Sequence, residues 1–362
     1  MHSSMIPTKS TISADNNPPW YLEDDDSMDD DWFYSSIKRY QQISMFHLSC
    51  DIQSLDVLAR TNLLVLAGKF DLEQIELAVY EIPEKLTALC PLKEGLLHQR
   101  DFSFVAGSRT LSQDPVIQVK FVDVPGLLKV ILLQKFKISS WERKTETDLL
   151  VISQELDLDR TPHFMDVSNK IIVISENSTM TVLNICQLQV LHKITLTNSV
   201  NGCSLSSSNL TICLSNGTVV DFNPDTMKKV RSTSVSTSFP KMKCSSMKKS
   251  GPYQLAFISE EDNLFFFKEH DPVPEAPFHP HPTGLSNISA IKWNSDGTLI
   301  VSSLSQVIIF EVEVSKLTQI FVHDAHKSFI MDCIPHPTVP KLLFSSDSRK
   351  RLHAWLYNNE NK

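Results

Sequence analysis

Near the C-terminal end of the chain, His323, His326, Cys333 and His336 are spaced H-x2-H-x6-C-x2-H, and imidazole and thiolate groups are the ligands of tetrahedral zinc. Their surroundings argue against a metal. Cys333 falls inside an apolar, strand-like run while His323 and His326 flank the loop before it, so the four donors do not converge. His279 and His281 are a weaker pair, because the prolines around them favour extended backbone. Carboxylate pairs such as Glu260 and Glu261 fall in predicted turns, where water solvates them. The chain has no GxSxG elbow, P-loop, HExxH helix or dinucleotide fingerprint. No enzyme activity, cofactor or metal is expected.

The clearest charge asymmetry lies between Thr226 and Ser259, where Lys228, Lys229, Arg231, Lys241, Lys243, Lys248 and Lys249 occur without a single carboxylate. Such a stretch either forms a basic patch for an acidic partner, such as tubulin tails, an acidic protein surface or RNA, or makes two solvated interblade loops. RNA fits least, because no aromatic side chain alternates with these lysines to stack bases. Arg349, Lys350 and Arg351 form a second basic turn expected to project from one rim. Trp32, Phe33 and Tyr40 are a third candidate, since aromatics dominate interface hot spots, with packing against the rim as the plain alternative.

The elements that position these residues repeat. Apolar run, polar turn and apolar run recur in KIIVISENSTMTVLNI from Lys170, LTICLSNGTVVDF from Leu210, YQLAFISEEDNLFFF from Tyr253 and GTLIVSSLSQVIIFEV from Gly297. The turns near Asn177, Asn216, Asp262 and Ser305 stand 39, 46 and 43 residues apart, the period of a four-stranded propeller blade. At 362 residues the chain has length for seven such blades in one domain. An all-β sandwich pair is the alternative, and the regular spacing favours the ring.

The predicted fold is therefore all-β: a seven-bladed WD40-type β-propeller over residues 43–358. A short amphipathic helix over 30–42 and a disordered acidic tail over 1–29 precede it, and the acidic run EDDDSMDDD (residues 23–31) crosses their boundary. The acidic run could cover the basic stretch within the same molecule. The segments from ISMFHL to IELAVYEI read as the first blade, and those from DFSFVAG to DLLVISQEL, residues 101–156, as the second with its outer strand. ISMFHL, residues 43–48, is expected to complete the last blade, because mixing strands from both termini removes exposed sheet edges. With only 9 glycines, turns must rely on Asn, Asp, Ser and Pro.

Composition limits the function classes. A formal net charge of −8 argues against binding nucleic acid through an overall field. The seven cysteines (Cys50, Cys90, Cys186, Cys203, Cys213, Cys244 and Cys333) are scattered without a CxxC pair and read as reduced packing residues. The longest apolar run, LLKVILL, is far short of the ~20 residues a membrane helix needs, and the first 30 residues lack a signal-peptide h-region. An intracellular, soluble monomer is expected, so the sequons at Asn177, Asn209, Asn216 and Asn287 carry no glycan.

The last copy, AHKSFIMDCIPHPTVPKLLFSSDSRKRLHAWL (residues 325–356), resembles a degenerate WD40 repeat. His326 stands where the repeat's Gly-His dipeptide would be, with Ala325 for the glycine. Trp355 takes the place of the terminal Trp-Asp pair, with Leu356 for the aspartate. The repeat's structural aspartate, six residues before the Trp, would be Arg349, with Asp347 two places early. The resemblance thus implies an incomplete hydrogen-bonded tetrad.

Residues 30–49, 100–122 and the HPTVPKLLFSS…LHAWL ending resemble the WD repeat-containing protein 73 family, and scattered matches cover about a third of the chain. The likeness begins at Met28, which implies that residues 1–27 are an upstream extension and that translation could start at Met28. It implies a cytoplasmic protein, with a minor nuclear pool, enriched at spindle poles and the cleavage furrow in division and linked to microtubule organisation. It also implies binding to the endonuclease and pseudo-endonuclease subunits of the Integrator complex. The expected function is a non-catalytic interaction scaffold supporting cytoplasmic Integrator assembly, with a microtubule or spindle regulator as the alternative.

Overall fold

The structure is a computed structural model that describes residues 40–87, 101–144, 147–205, 209–234, 242–247, 255–267, 281–282, 285–312, 317–323, 326, 328–339 and 342–357. Among these the fold is all-β, and its helices are a four-residue turn at Glu84–Thr87 and a 3-10 turn at Ala59–Thr61.

The strands form seven four-stranded antiparallel sheets. The first holds β2 (Asp51–Leu58), β3 (Leu63–Lys69), β4 (Gln74–Glu81) and β5 (Ser103–Leu111). The second holds β6 (Val116–Val124), β7 (Leu127–Gln134), β8 (Lys137–Arg143) and β9 (Leu150–Asp157). The third holds β10 (Phe164–Val167), β11 (Ile171–Glu176), β12 (Thr179–Asn184) and β13 (Val190–Thr195). The fourth holds β14 (Val200–Leu205), β15 (Leu210–Leu214), β16 (Thr218–Phe222) and β17 (Lys229–Ser234).

The fifth holds β18 (Met242–Met247), β19 (Leu255–Ser259), β20 (Asn263–Phe267) and β21 (His281–Pro282). The sixth holds β22 (Ala290–Trp293), β23 (Leu299–Ser302), β24 (Val307–Val312) and β25 (Leu317–His323). The seventh joins β26 (Ile330–Pro335), β27 (Leu342–Asp347) and β28 (Arg351–Tyr357) to β1 (Tyr40–His47). The first strand of each sheet packs on that of the next, and β26 of the seventh on β2 of the first. The arrangement is propeller-like.

Apolar faces between sheets hold it together. Leu55, Leu64 and Leu66 of the first sheet pack with Ile334, Leu342 and Phe344 of the seventh; Val65, Val79 and Ala106 of the first pack with Val119, Val130 and Trp141 of the second. The middle strands are covered on both faces, so β11 and β27 are buried throughout, whereas β13 on the outside is almost wholly exposed. Each buried leucine-sized side chain contributes about 1.5–3 kcal/mol.

Two sequence expectations need correction. Tyr40, Gln41 and Gln42 are not the end of a helix but the start of β1, paired with Tyr357, Leu356 and Trp355. Pairing with β28 satisfies their backbone groups and covers a sheet edge, which outweighs a weak helical pattern. The remainder of the expected helix, with the acidic tail, lies outside the described residues. DFSFVAG opens no second sheet: it supplies β5, the outer strand of the first, because β1 has gone to the seventh. All of ISMFHL but Leu48 does lie within the strand that completes the seventh sheet. Asn62, Asn177, Asp262 and Lys350 take the left-handed conformation at their turns, as a glycine-poor chain requires.

Candidate functional site: the bulged mouth of the central cavity

Inside the ring of first strands lies a cavity of about 570 Å³. Five of those strands share one irregularity. The ladder of β2 skips Gln53, β6 skips Ile117, β14 skips Asn201, β18 skips Lys243 and β26 skips Met331, each at the second residue of its strand or one position beyond. An extra residue in one strand kinks it and re-aims a side chain. Gln53, Ile117, Asn201 and Met331 all line the cavity.

Side chains just inside the mouth tie each sheet to the next. Asp332 Oδ2 accepts the N–H of Leu55 at 2.9 Å, Asp56 Oδ2 that of Phe121 at 2.7 Å, and Asp166 Oδ2 that of Leu205 at 2.7 Å. Gln53 and Gln118 use their amide oxygens in the same way on Val116 and Met165, at 2.9 and 2.7 Å. Lys120 Nζ pairs with Asp56 at 3.2 Å and Lys292 Nζ with Asp332 at 2.6 Å. Burial works to lower the Lys120 pKa, but Asp56, Asp166 and Asp332 outweigh it and hold it above the ordinary lysine value. Both ammonium groups are committed to structure, and the Ser54 hydroxyl beside them donates to Asp332 Oδ2 at 3.4 Å.

The seventh sheet holds a polar cluster away from the cavity. Trp355 Nε1–H donates to Ser345 Oγ at 2.9 Å, Ser345 Oγ lies 2.9 Å from His326 Nε2, and His326 Nδ1 lies 3.3 Å from Asp347 Oδ2. With the Nδ1–H tautomer the chain is fully satisfied from indole to carboxylate. The tetrad is therefore complete, contrary to expectation, and Asp347 fills the place sought at Arg349. Left-handed Lys350, with φ of 63°, shapes a turn in which Asp347 Oδ1 accepts the N–H groups of Arg349 and Arg351.

Arg351 donates to Asp347 Oδ2 through Nε at 2.9 Å and through Nη2 at 2.6 Å. His353, whose ring nitrogens make no hydrogen bond, stacks on Trp355 at 5.6 Å with its Nε2 3.5 Å from Asp347. Burial opposes the Asp347 charge, yet its bonds to His326 and Arg351, with the His353 ring close by, hold the carboxyl far below the usual range. Burial pushes His353 down to about 4. His326, Asp347 and His353 bring ligand atoms within 4.8 Å of one another, but the Arg351 guanidinium already occupies the cation's place on Asp347.

The predicted binding residues are dispersed. Lys228 and Lys229 are exposed where β16 turns into β17, on the outside of the fourth sheet, and Arg231 is half-buried against Asp221 at 3.2 Å. Lys243 lies on β18, the innermost strand of the next sheet, apart from Lys228 and Lys229. Lys241, Lys248, Lys249, Trp32 and Phe33 lie outside the described residues, as does the side chain of Tyr40. Of the second basic turn only Arg349 is exposed. Lys350 Nζ donates to Ser49 O at 3.3 Å, and Arg351 is buried, held by Asp347.

Of the zinc-like quartet, the side chain of His323 lies outside the described residues. His326 belongs to the tetrad, Cys333 packs with Ile330 and Trp355, and His336 Nδ1 accepts the N–H of Val339 at 3.1 Å. Sequence reasoning missed Ser345 and His353 and set Asp347 aside; the alternation of polar and apolar residues in RLHAW was the one signal for His353.

No helix among the described residues is long and apolar enough to cross a membrane. No protein-family model matches the chain, and no curated protein matches it either. Its class is the one its strands define: an all-β, propeller-like protein.

Proposed function

We propose that the seven sheets are the blades of one closed WD40-type ring and that the chain is a member of the WD repeat-containing protein 73 family. In this reading it is a non-catalytic scaffold that binds the Integrator nuclease subunits and supports their assembly in the cytoplasm. The observation that carries the reading is the Trp355–Ser345–His326–Asp347 chain, which supplies in the seventh sheet the WD-like feature His326 and Trp355 suggested. A propeller-like fold offers broad, rigid rims for partners, and the cavity's charged groups are consumed by bonds within the ring.

Affinity purification of the tagged full chain from cytoplasmic extract at moderate salt tests the proposal. Stoichiometric recovery of Integrator nuclease subunits supports it; their absence overturns it. The exposed pair Lys228 and Lys229 favours a second reading, a spindle or microtubule regulator. Contacts to acidic tubulin tails weaken steeply with ionic strength, whereas a packed interface does not. Microtubule co-sedimentation unchanged by charge reversal of both lysines removes that reading.

A further inference from the structure

At one of the five bulges the cavity mouth continues into an apolar ridge. Met331, the bulged residue of β26, is 43% exposed; Phe329, just before the strand, is 59% exposed, and Leu304 of the neighbouring sheet 42%. Backbone bonds hold them side by side. Ile330 N–H donates to Leu304 O at 2.8 Å, and Ser348 N–H to Phe329 O at 2.8 Å. The second bond brings Arg349, the residue after Ser348, to the end of the ridge.

Single apolar residues on a surface are ordinary. Three brought together by backbone bonds across a sheet boundary, at the rim of a cavity, make a patch of the kind that marks a partner site. The chemistry also discriminates between partners. Arg349 is exposed and makes no side-chain ion pair among the described residues, whereas the carboxylates in this sheet's described strands, Asp332 and Asp347, are bound to Lys292, Arg351 and backbone amides. The ridge has a cation to offer, and both carboxylates in the described strands of its sheet are already bonded. Met and Arg are enriched at interfaces, and a thioether adapts its shape to what it meets.

We propose that this ridge docks an extended, acidic and apolar segment of a partner protein. One aliphatic or aromatic side chain seats among Leu304, Phe329 and Met331, and a neighbouring carboxylate pairs with Arg349. The inference rests on the scaffold reading and adds a surface and a partner chemistry to it.

Panning a random-peptide display library on the immobilised full chain tests it. The expected peptides carry an aliphatic or aromatic residue beside Asp or Glu. They bind the Phe329→Ser and Arg349→Glu chains at least about tenfold more weakly, while Leu72→Ser, a still more exposed control, binds them unchanged. Both test side chains are exposed, so the variants fold, and matching thermal melts verify this.

Enriched peptides that bind all variants equally, or that are basic, overturn the proposal and leave the scaffold reading standing. So does a dimer that Phe329→Ser converts to monomer in sedimentation, because the occupant is then a second copy. Failure to enrich any peptide overturns the ridge; if the tagged chain also recovers no stoichiometric partner, the scaffold reading falls with it.

Discussion

Asp332 and Leu55 are 277 positions apart in sequence, yet the carboxylate of one accepts the backbone N–H of the other at 2.9 Å. The bond spans the junction between the seventh sheet and the first, where the ring of strands meets itself. The same carboxylate holds Lys292 of the sixth sheet at 2.6 Å, so one side chain links three sheets.

Replacing Asp332 by Ala removes the acceptor for Leu55 N–H and leaves Lys292 without its counter-ion. A loss of about 2–4 kcal/mol in urea unfolding is expected, with Asp332→Asn retaining roughly half of the wild-type advantage because its amide oxygen still accepts. Equal losses from both variants would show that the charge, and not the backbone bond, secures the junction.

The tetrad separates two contributions. Asp347→Ala leaves buried Arg351 and His326 donors unpaired and is expected to cost about 3–5 kcal/mol. Trp355→Phe keeps an aromatic ring but loses the bond to Ser345, at about 1–1.5 kcal/mol. Differential scanning calorimetry gives both values, and a Trp355→Phe loss as large as that of Asp347→Ala would contradict the assignment.

Acid should weaken the fold before the carboxylates titrate. His353 and His336 each lie near 4 in the folded chain because burial disfavours their charged form, against an ordinary value of 6.5. Between those values the unfolded chain takes up protons that the folded one refuses. Stability is therefore full above 6.5 and declines as pH falls toward 4; Asp347, held low, contributes a further loss only below the ordinary carboxylate range. Urea midpoints measured from neutral pH downward should fall across this window. His353→Phe, which keeps a ring over Trp355, should flatten the decline.

Gly68 is irreplaceable by any residue with a side chain. A Cβ there would stand 2.1 Å from Asp51 O and 2.8 Å from Ile52 Cα, both rigid backbone of the facing strand. Gly68→Ala is expected to destabilise by more than about 2 kcal/mol and to disturb the adjacent bulge at Gln53. A melting temperature within a degree or so of wild type would mean that β2 and β3 separate more easily than their pairing suggests.

What the sequence reveals follows burial. The four legible copies are the middle strand pairs, such as Ile171–Glu176 with Thr179–Asn184, because strands covered on both faces must be apolar throughout. Outer strands have no such demand: Val190–Thr195 is almost wholly exposed, and DFSFVAG went to the wrong sheet because nothing in its pattern says which neighbour it joins. The tetrad was half legible through His326 and Trp355. Asp347 was discounted because the turn is two residues longer than the repeat's, and loop length can shift a residue in sequence without moving it in space. The cavity mouth was invisible: a bulge is a property of register between strands, and neither Gln53 nor Met331 differs in type from residues that sit in regular ladders.

The pairing of Tyr40–His47 with Arg351–Tyr357 sets a schedule for biosynthesis. The first of these strands leaves the ribosome roughly 300 residues before its partner, which at about 5–20 residues per second is an interval of about 15–60 s. Throughout it the six intervening sheets can stack in order, but the nascent chain remains an open arc with two unsatisfied ends. A chaperone that shields a strand edge would be needed most at that stage, and a stalled or truncated translation product would present the same edge permanently to its neighbours.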